Sequence, residues 1–368
     1  LALELQRGGH VQPAIFSASA EALPILTRAS LAPLLEDTAR HAAKVRDAGG
    51  GCVHFDGLVL RALGNNFEMD PVSERVIAPR NVGVIFFEDT MLDAAALARA
   101  RAFDLVITGS HWNEQVLRER GLTNVATVLQ GVDPSLFHPA PRAGHFGDRF
   151  VVFSGGKLEY RKGQDLVIAA FRAFRQRHPE ALLVVAWHNN WPTLIADLDL
   201  AGHVRGTPTL RGHSLGLTEW LAANGIPADA TIDVGQQPNA LMGQVLRECD
   251  VALFPNRCEG GTNLVAMECM AAGVPTIVSA NTGHLDLVAT GGCLALERQR
   301  AARMPTRFFR GAEGWGESDV EEIVEALEFA YNERSAMATL ARRGADAMAA
   351  QSWRHQTQQL LQTLQPLI

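Results

Sequence analysis

"NRCEGGTNLVAMECMAAGVPT", residues 256–276, follows the apolar run "DVALF" and runs into "TIVSA". A short buried strand, a glycine turn, a helix stopped at Gly273-Val274-Pro275 and another short strand form one unit of a parallel sheet covered by helices. Thr262 and Asn263 are both suited to cap the helix. The first helical amides, beginning near Leu264, then face the carboxyl edge of the sheet, where an anion is favoured, and Gly260 and Gly261 allow a ligand close to the backbone. Two carboxylates bracket the turn. Glu268, about one and a half turns into the helix, is placed to accept hydroxyl hydrogen bonds from a ribose, and Glu259 to face whatever lies beyond the phosphates. An isolated turn of this kind is more often a solvated loop, so the reading needs a second signal.

That signal is "SGGKLEYRKGQDL", residues 154–166, at the end of the strand "FVVFSGG". Gly155 and Gly156 are followed by Lys157, Arg161 and Lys162, and a helix starts after Gly163. Any one of these cations alone would read as solvated. Two anion-friendly strand ends in one domain point instead to a site for a nucleoside diphosphate.

The pattern of strand then helix extends in both directions. Upstream, after a short helix to Arg7 and the apolar "VQPAIF", come "CVHFDGLVL", "NVGVIFFEDT", helix "MLDAAALARARAF", strand "DLVITGS", helix "WNEQVLRERG" and strand "VATVLQG". The proline- and glycine-rich stretch 132–149 reads as a linker. A second cycle of strands and helices runs from "FVVFSGG" to "PTIVSA", and the chain is helical from Val320 onward. The expected architecture is α/β, with two doubly wound Rossmann-like domains over 1–140 and 150–335 and closing helices over 336–368. In such sheets ligands bind beyond the carboxyl ends of the strands.

Bulk properties narrow the function. With 368 residues, 47% of them hydrophobic, the chain exceeds one ordinary core. A formal charge of −7 gives no reason to expect nucleic acid, and residues 1–140 hold 12 Lys and Arg against 16 Asp and Glu, so no membrane-docking patch is indicated. No apolar run is long enough to span a bilayer. Five cysteines without CxxC spacing fit neither a disulfide framework nor a zinc site, and no secretory leader opens the sequence; a reducing cytoplasm is the expected location.

Together "SGGKLEYRKG", "EGGTNLVAMECMAAGVPTIVSA" and "GSHWNEQVLRERG…VLQGVDPSLFHP" resemble the GT-B glycosyltransferases of family 4 over roughly residues 100–290, with a weaker tail at "SWRHQTQQLL". The resemblance implies two facing Rossmann-like domains, a donor held mainly by the second, and a final helix crossing back to the first. It implies that Lys162, with Lys157 or Arg161, grips the donor diphosphate, that Glu268 meets the ribose and Glu259 the transferred sugar, and that the anomeric configuration is retained. Three departures stand out. Eight residues rather than seven separate Glu259 from Glu268, which places either Glu259 or Gly260 at the family position. The following loop is "NTGHLDLV", with Asp286 where glutamate is common. The strand and glycine loop that open the family's first domain have no counterpart before "LALELQRGGHV".

In the first domain, Glu88 and Asp89 follow the strand "VGVIFF" and are candidate catalytic carboxylates, standing where the family often has His-Asp. His54, Asp56, His111 and Trp112 also end strands; His54 and Trp112 read as structural. The function expected is transfer of a hexose-type sugar from a nucleotide-diphosphate donor to an unspecified acceptor: a sugar, lipid-linked, protein or small molecule. No cofactor is expected, and no metal, since no paired Asp motif accompanies the diphosphate site. The rivals are a sugar-nucleotide epimerase of the same fold and a non-catalytic binding subunit.

Overall fold

The computed structural model describes residues 1–9, 11–15, 23, 25–211, 214–304 and 306–368. Its first part contains α1 (Ala2–Gly8), α2 (Ile25–Asp47), β1 (Val53–His54), β2 (Leu58–Ala62), α3 (Pro71–Glu74), β3 (Val76–Ile77), β4 (Arg80–Ile85), α4 (Ala94–Arg101), β5 (Leu105–Thr108), α5 (His111–Glu119) and β6 (Val125–Thr127). Four strands pair in parallel in the order β2-β4-β5-β6, and β1 pairs with β3 separately. Stretch 11–15 is irregular, and Phe16 of "VQPAIF" lies outside the described residues.

The second part contains β7 (Val151–Lys157), α6 (Gln164–Arg175), β8 (Leu182–His188), β9 (Leu210–Arg211), β10 (Ser214–Leu215), α7 (Leu217–Ala223), β11 (Thr231–Asp233), α8 (Asn239–Arg247), β12 (Val251–Phe254), α9 (Leu264–Ala271), β13 (Thr276–Ser279), α10 (Leu285–Val288) and β14 (Leu294–Leu296). After β15 (Gln299–Ala301) and β16 (Gly316–Ser318) the chain ends in α11 (Val320–Asn332), α12 (Arg334–Ala350) and α13 (Trp353–Leu364). The main sheet is fully parallel, in the order β11-β8-β7-β12-β13-β14. Helices cover both faces, which is why β7, β8, β12 and β13 read as unbroken apolar runs: one face packs on α6 and α11, the other on α9 and α12.

Strand order decides where a ligand can sit. From β7 the chain moves outward to β8 on one side, and later strands continue from β12 on the other, so the order reverses between β7 and β12. The two glycine-bearing stretches leave the carboxyl ends of these neighbouring strands and share that switch point.

Of the closing helices, α12 packs on the second part, with Met337 and Met348 in its two cores. Only α13 returns: Leu360 and Leu364 bury against Val82 of β4 and Ile107 of β5. The outgoing and returning segments meet where Val132 N donates to Gln351 O (3.0 Å) and Trp353 N to Val132 O (3.1 Å). Three features fall outside the sequence expectation. Helix α2 buries only Leu31, Leu34 and Val45 and carries Pro33, so it shows little apolar periodicity. The two-residue strands β1 and β3 are too short to give a pattern. The β9–β10 and β15–β16 pairs are antiparallel, beside a main sheet that is parallel throughout.

Candidate active site

The loop after β7 is set by Gly163. Its φ is +69°, and a Cβ there would lie 2.2 Å from Pro255 O, so only glycine closes this turn against the end of β12. Tyr160, Arg161 and Lys162 form one tight turn ahead of α6. Gln164 clips the loop by donating to Lys157 O (2.7 Å). The backbone therefore brings Lys162 and Arg161 beside the residues that follow β12.

There Glu259 is 4% exposed. One carboxylate oxygen accepts from Lys162 Nζ and Asn256 Nδ2, and the other from Arg161 Nη1 at 3.2 Å. Arg161 also donates to Cys258 O (3.2 Å), and its Nη2 lies 2.8 Å from Glu159 Oε1 and 3.4 Å from Glu88 Oε1. Glu159 Oε1 nevertheless receives no properly directed hydrogen bond. Three carboxylates thus face two cations. Burial would raise the Glu259 carboxyl, but Lys162 and Arg161 outweigh it and hold it down at about 2. Glu88 goes the other way: burial raises its pKa, Arg161 offsets only part of that, and Glu159 and Glu259 add to it. Of the three carboxylates facing Arg161, Glu88 is the one contributed by the first domain.

Around this cluster the surface is suited to an anion. Gly156 has φ +121°, and a Cβ there would meet only the methylenes of Lys162, at 4.0 Å. Lys157 is exposed, with its ammonium 4.6 Å above the ring of Trp191. Gly155 packs tightly, a Cβ there falling 2.9 Å from Val265 Cγ1 in the first turn of α9. Asn263 caps that helix, accepting from Ala266 N (3.4 Å), which leaves the amides of Leu264 and Val265 without intrahelical acceptors. Glu268 is half-buried, and burial pushes its pKa up to about 7, with Asn239 Nδ2, 3.4 Å away, opposing.

Several expectations need correction. Glu259 is a buried counter-ion and not an open sugar contact, because two adjacent cations draw it inward. Arg161, 6% exposed, is enclosed by carboxylates; Lys157 is exposed, and Lys162 is largely buried against Glu259. The hydroxyl of Thr262 points into the core and donates to Met267 Sδ, and the amide of Asn263 is spent on the cap and on His284 Nε2 (3.0 Å). Gly260 and Gly261 admit protein: a Cβ on Gly260 would lie 2.7 Å from Phe87 O, and one on Gly261 would lie 3.0 Å from Phe86 Cδ1. Ser110 Oγ fastens the same contact by donating to Gly260 O (2.8 Å). Asp89 is a clamp, its carboxylate accepting from the amides of Met91 (2.9 Å), Arg310 (3.2 Å) and Gly311 (2.8 Å). Asp286 accepts from His111 N (3.0 Å) and faces His111 Nδ1 (2.7 Å), tying its loop to the start of α5.

Trp112 packs on Phe87, ring centroids 5.9 Å apart, and His54 and Asp56 are exposed. Sequence reasoning missed Glu159, Asn256, Trp191 and residues 302–315. Glu159 and Asn256 lie inside the quoted motifs, but their role exists only once β7 and β12 are neighbours.

Residues 140–302 match the model of the glycosyl transferases group 1. This segment belongs to that family. Across 183 residues the chain is 27% identical to a glycogen synthase of Mycobacterium tuberculosis, covering 49% of this chain and 38% of that protein. Across 260 residues it is 26% identical to a GDP-mannose-dependent alpha-(1-6)-phosphatidylinositol dimannoside mannosyltransferase of the same species, covering 67% of this chain and 61% of that one. It therefore spans less than two thirds of either curated relative. Among solved structures, a sucrose-phosphate synthase from Thermosynechococcus elongatus superposes with a TM-score of 0.64 at 17% identity, over 100% of this chain and 91% of the other. The fold is GT-B. The glycosyl transferases group 1 segment contains the β7 loop, the glycine turn and α9, and so every second-domain group of the candidate site.

Proposed function

We propose that this chain is a glycosyltransferase that takes a sugar from a nucleoside-diphosphate donor bound at the switch point between β7 and β12. The observation that carries the reading is the meeting, at that point, of Lys162, Lys157, the open side of Gly156 and the unpartnered first amides of α9. A diphosphate placed there accepts from the two ammonium groups and the amides, and the open side of Gly156 leaves room for it. Family membership of the segment and relatives that use nucleotide sugars support the same reading.

Lys162 is the exchangeable member. It pairs with Glu259 in the structure, and on donor binding its ammonium turns to the diphosphate while Arg161 keeps Glu259 neutralised. Glu268 accepts from the ribose. Glu88, on the first-domain side, faces the sugar and the acceptor. In the retaining reaction we assign, the bond between the anomeric carbon and the phosphate oxygen breaks and the acceptor oxygen bonds to that carbon on the same face. The acceptor's proton passes to the departing phosphate oxygen, whose charge Lys157 and Lys162 offset. No divalent cation is called on, and membership of family 4, a cytoplasmic location and the boundaries 1–140, 150–335 and 336–368 are parts of the same proposal.

The test is incubation of the whole chain with UDP-glucose, GDP-mannose and ADP-glucose, with and without acceptor sugars. Acceptor-dependent release of one nucleoside diphosphate is expected, and it should persist in EDTA. An isomerised donor would favour an epimerase, binding without release a non-catalytic subunit, and loss on chelation restored by magnesium would place a cation in the site.

A further inference from the structure

Residues 302–304 and 306–315, between β15 and β16, leave the second domain and lie on the first. They grip the loop that carries Glu88 from both sides. Trp315 Nε1 donates to Glu88 O at 3.0 Å, Thr90 Oγ1 accepts from Glu313 N at 3.1 Å, and the Asp89 carboxylate takes the Arg310 and Gly311 amides. Arg120 closes the far side, bonding Thr90 O (2.8 Å) and Glu313 together. At Gly311 the approach is so close that a Cβ would fall 2.3 Å from Met91 N. The same segment rests on the basic loop: Arg303 N donates to Tyr160 Oη (3.1 Å), and Phe309 and Trp315 pack with Tyr160 and Cys258. It is thus bonded at once to the loop holding Arg161 and to the loop holding Glu88.

We propose that 306–315 is a positioning strap, and that Trp315 and Asp89 are positioning residues that hold Glu88 at Arg161. Because the strap is rooted in the second domain and its anchors are in the first, Glu88 is fixed only when the two domain faces meet. Assembly of the carboxylate cluster and closure of the cleft become one event. A merely structural strap would stabilise the chain without acting through Glu88. The assignment of a role to Glu88 in turnover rests on the glycosyltransferase reading; the mechanical part does not.

Trp315→Phe keeps the ring in its pocket and removes the N–H. The expected result is a fall in kcat of about tenfold with donor KM within about twofold of wild type, and no further loss when Trp315→Phe is added to Glu88→Gln. Losses that multiply, or a rise in KM with kcat unchanged, would overturn the positioning role. Hydrogen exchange of the whole chain without substrate decides the mechanical part. Amides 88–91 should exchange about tenfold faster in Trp315→Phe, with those of β5 unchanged. Equal protection at 88–91 in both proteins would overturn the strap whatever the substrate. If Trp315→Phe does not fold, Asp89→Ala is read the same way. Wild-type protein that consumes no donor but shows the exchange difference would retire the glycosyltransferase reading and leave the strap standing.

Discussion

Two arginines, Arg161 in the loop after β7 and Arg257 in the loop after β12, meet carboxylates in opposite ways. Arg257 is fully buried, forks onto both oxygens of Asp165 (2.8 and 2.7 Å), donates through Nε to Glu317 (2.7 Å) and stacks 4.0 Å above the ring of Tyr160. Its partners are directed and complete, and Glu317 turns its other oxygen to His203. Arg161 faces three carboxylates at longer or poorly aligned distances, with a lysine competing for one of them. The first arrangement is saturated and can only hold the fold together. The second has an undirected Glu159 oxygen and an ammonium that can leave Glu259 for an anionic ligand, so it still has interactions to make.

The contrast breaks most visibly at Arg257. Arg257→Ala leaves Asp165 buried and unpaired and should cost about 3–5 kcal/mol in urea unfolding. A loss below about 1 kcal/mol would show that the saturated pair is not structural in the sense argued. Next in size is Glu88→Gln, expected to lower turnover about tenfold, roughly 1.4 kcal/mol of transition-state stabilisation, while the nucleoside diphosphate dissociation constant stays within about twofold. Wild-type turnover would return Glu88 to a packing role.

The smallest effect concerns Glu268. Its folded pKa of about 7 lies above its ordinary value, so its contribution to stability is full below the ordinary carboxylate pKa and is lost as pH rises through about 7. Glu268→Gln does not titrate, so its melting temperature relative to wild type should improve between pH 5 and pH 8. A difference independent of pH would mean that the carboxylate is as well solvated folded as unfolded.

Much of the second domain was legible because its information is local. The apolar runs of β7, β8, β12 and β13, the stop at Gly273-Val274-Pro275 and the Asn263 cap each follow from neighbours in sequence. That both glycine-bearing stretches end strands of one parallel sheet was legible too; that β7 and β12 are neighbours, which brings Lys162 to the glycine turn, was not. Nor was the direction of each side chain. Whether Glu259 opens to a ligand or turns to Lys162, and whether Gly260 admits a phosphate or Phe87, depend on which charges and surfaces arrive from residues about 100 to 170 positions away, while Thr262 turns from the cleft to Met267 within its own turn and helix. The strap was illegible for the same reason: nothing within "MPTRFFRGAEGW" says that its amides meet Asp89.

The proposed donor site depends on Lys162 as the cation that meets a diphosphate. Calorimetric titration of wild type and Lys162→Ala with UDP, GDP and ADP, and with the matching nucleosides, tests it directly. One diphosphate should bind wild type and lose at least about tenfold in affinity, roughly 1.4 kcal/mol, in Lys162→Ala, while nucleoside affinity is unchanged. Equal losses for diphosphate and nucleoside, or no diphosphate binding by wild type, would contradict it.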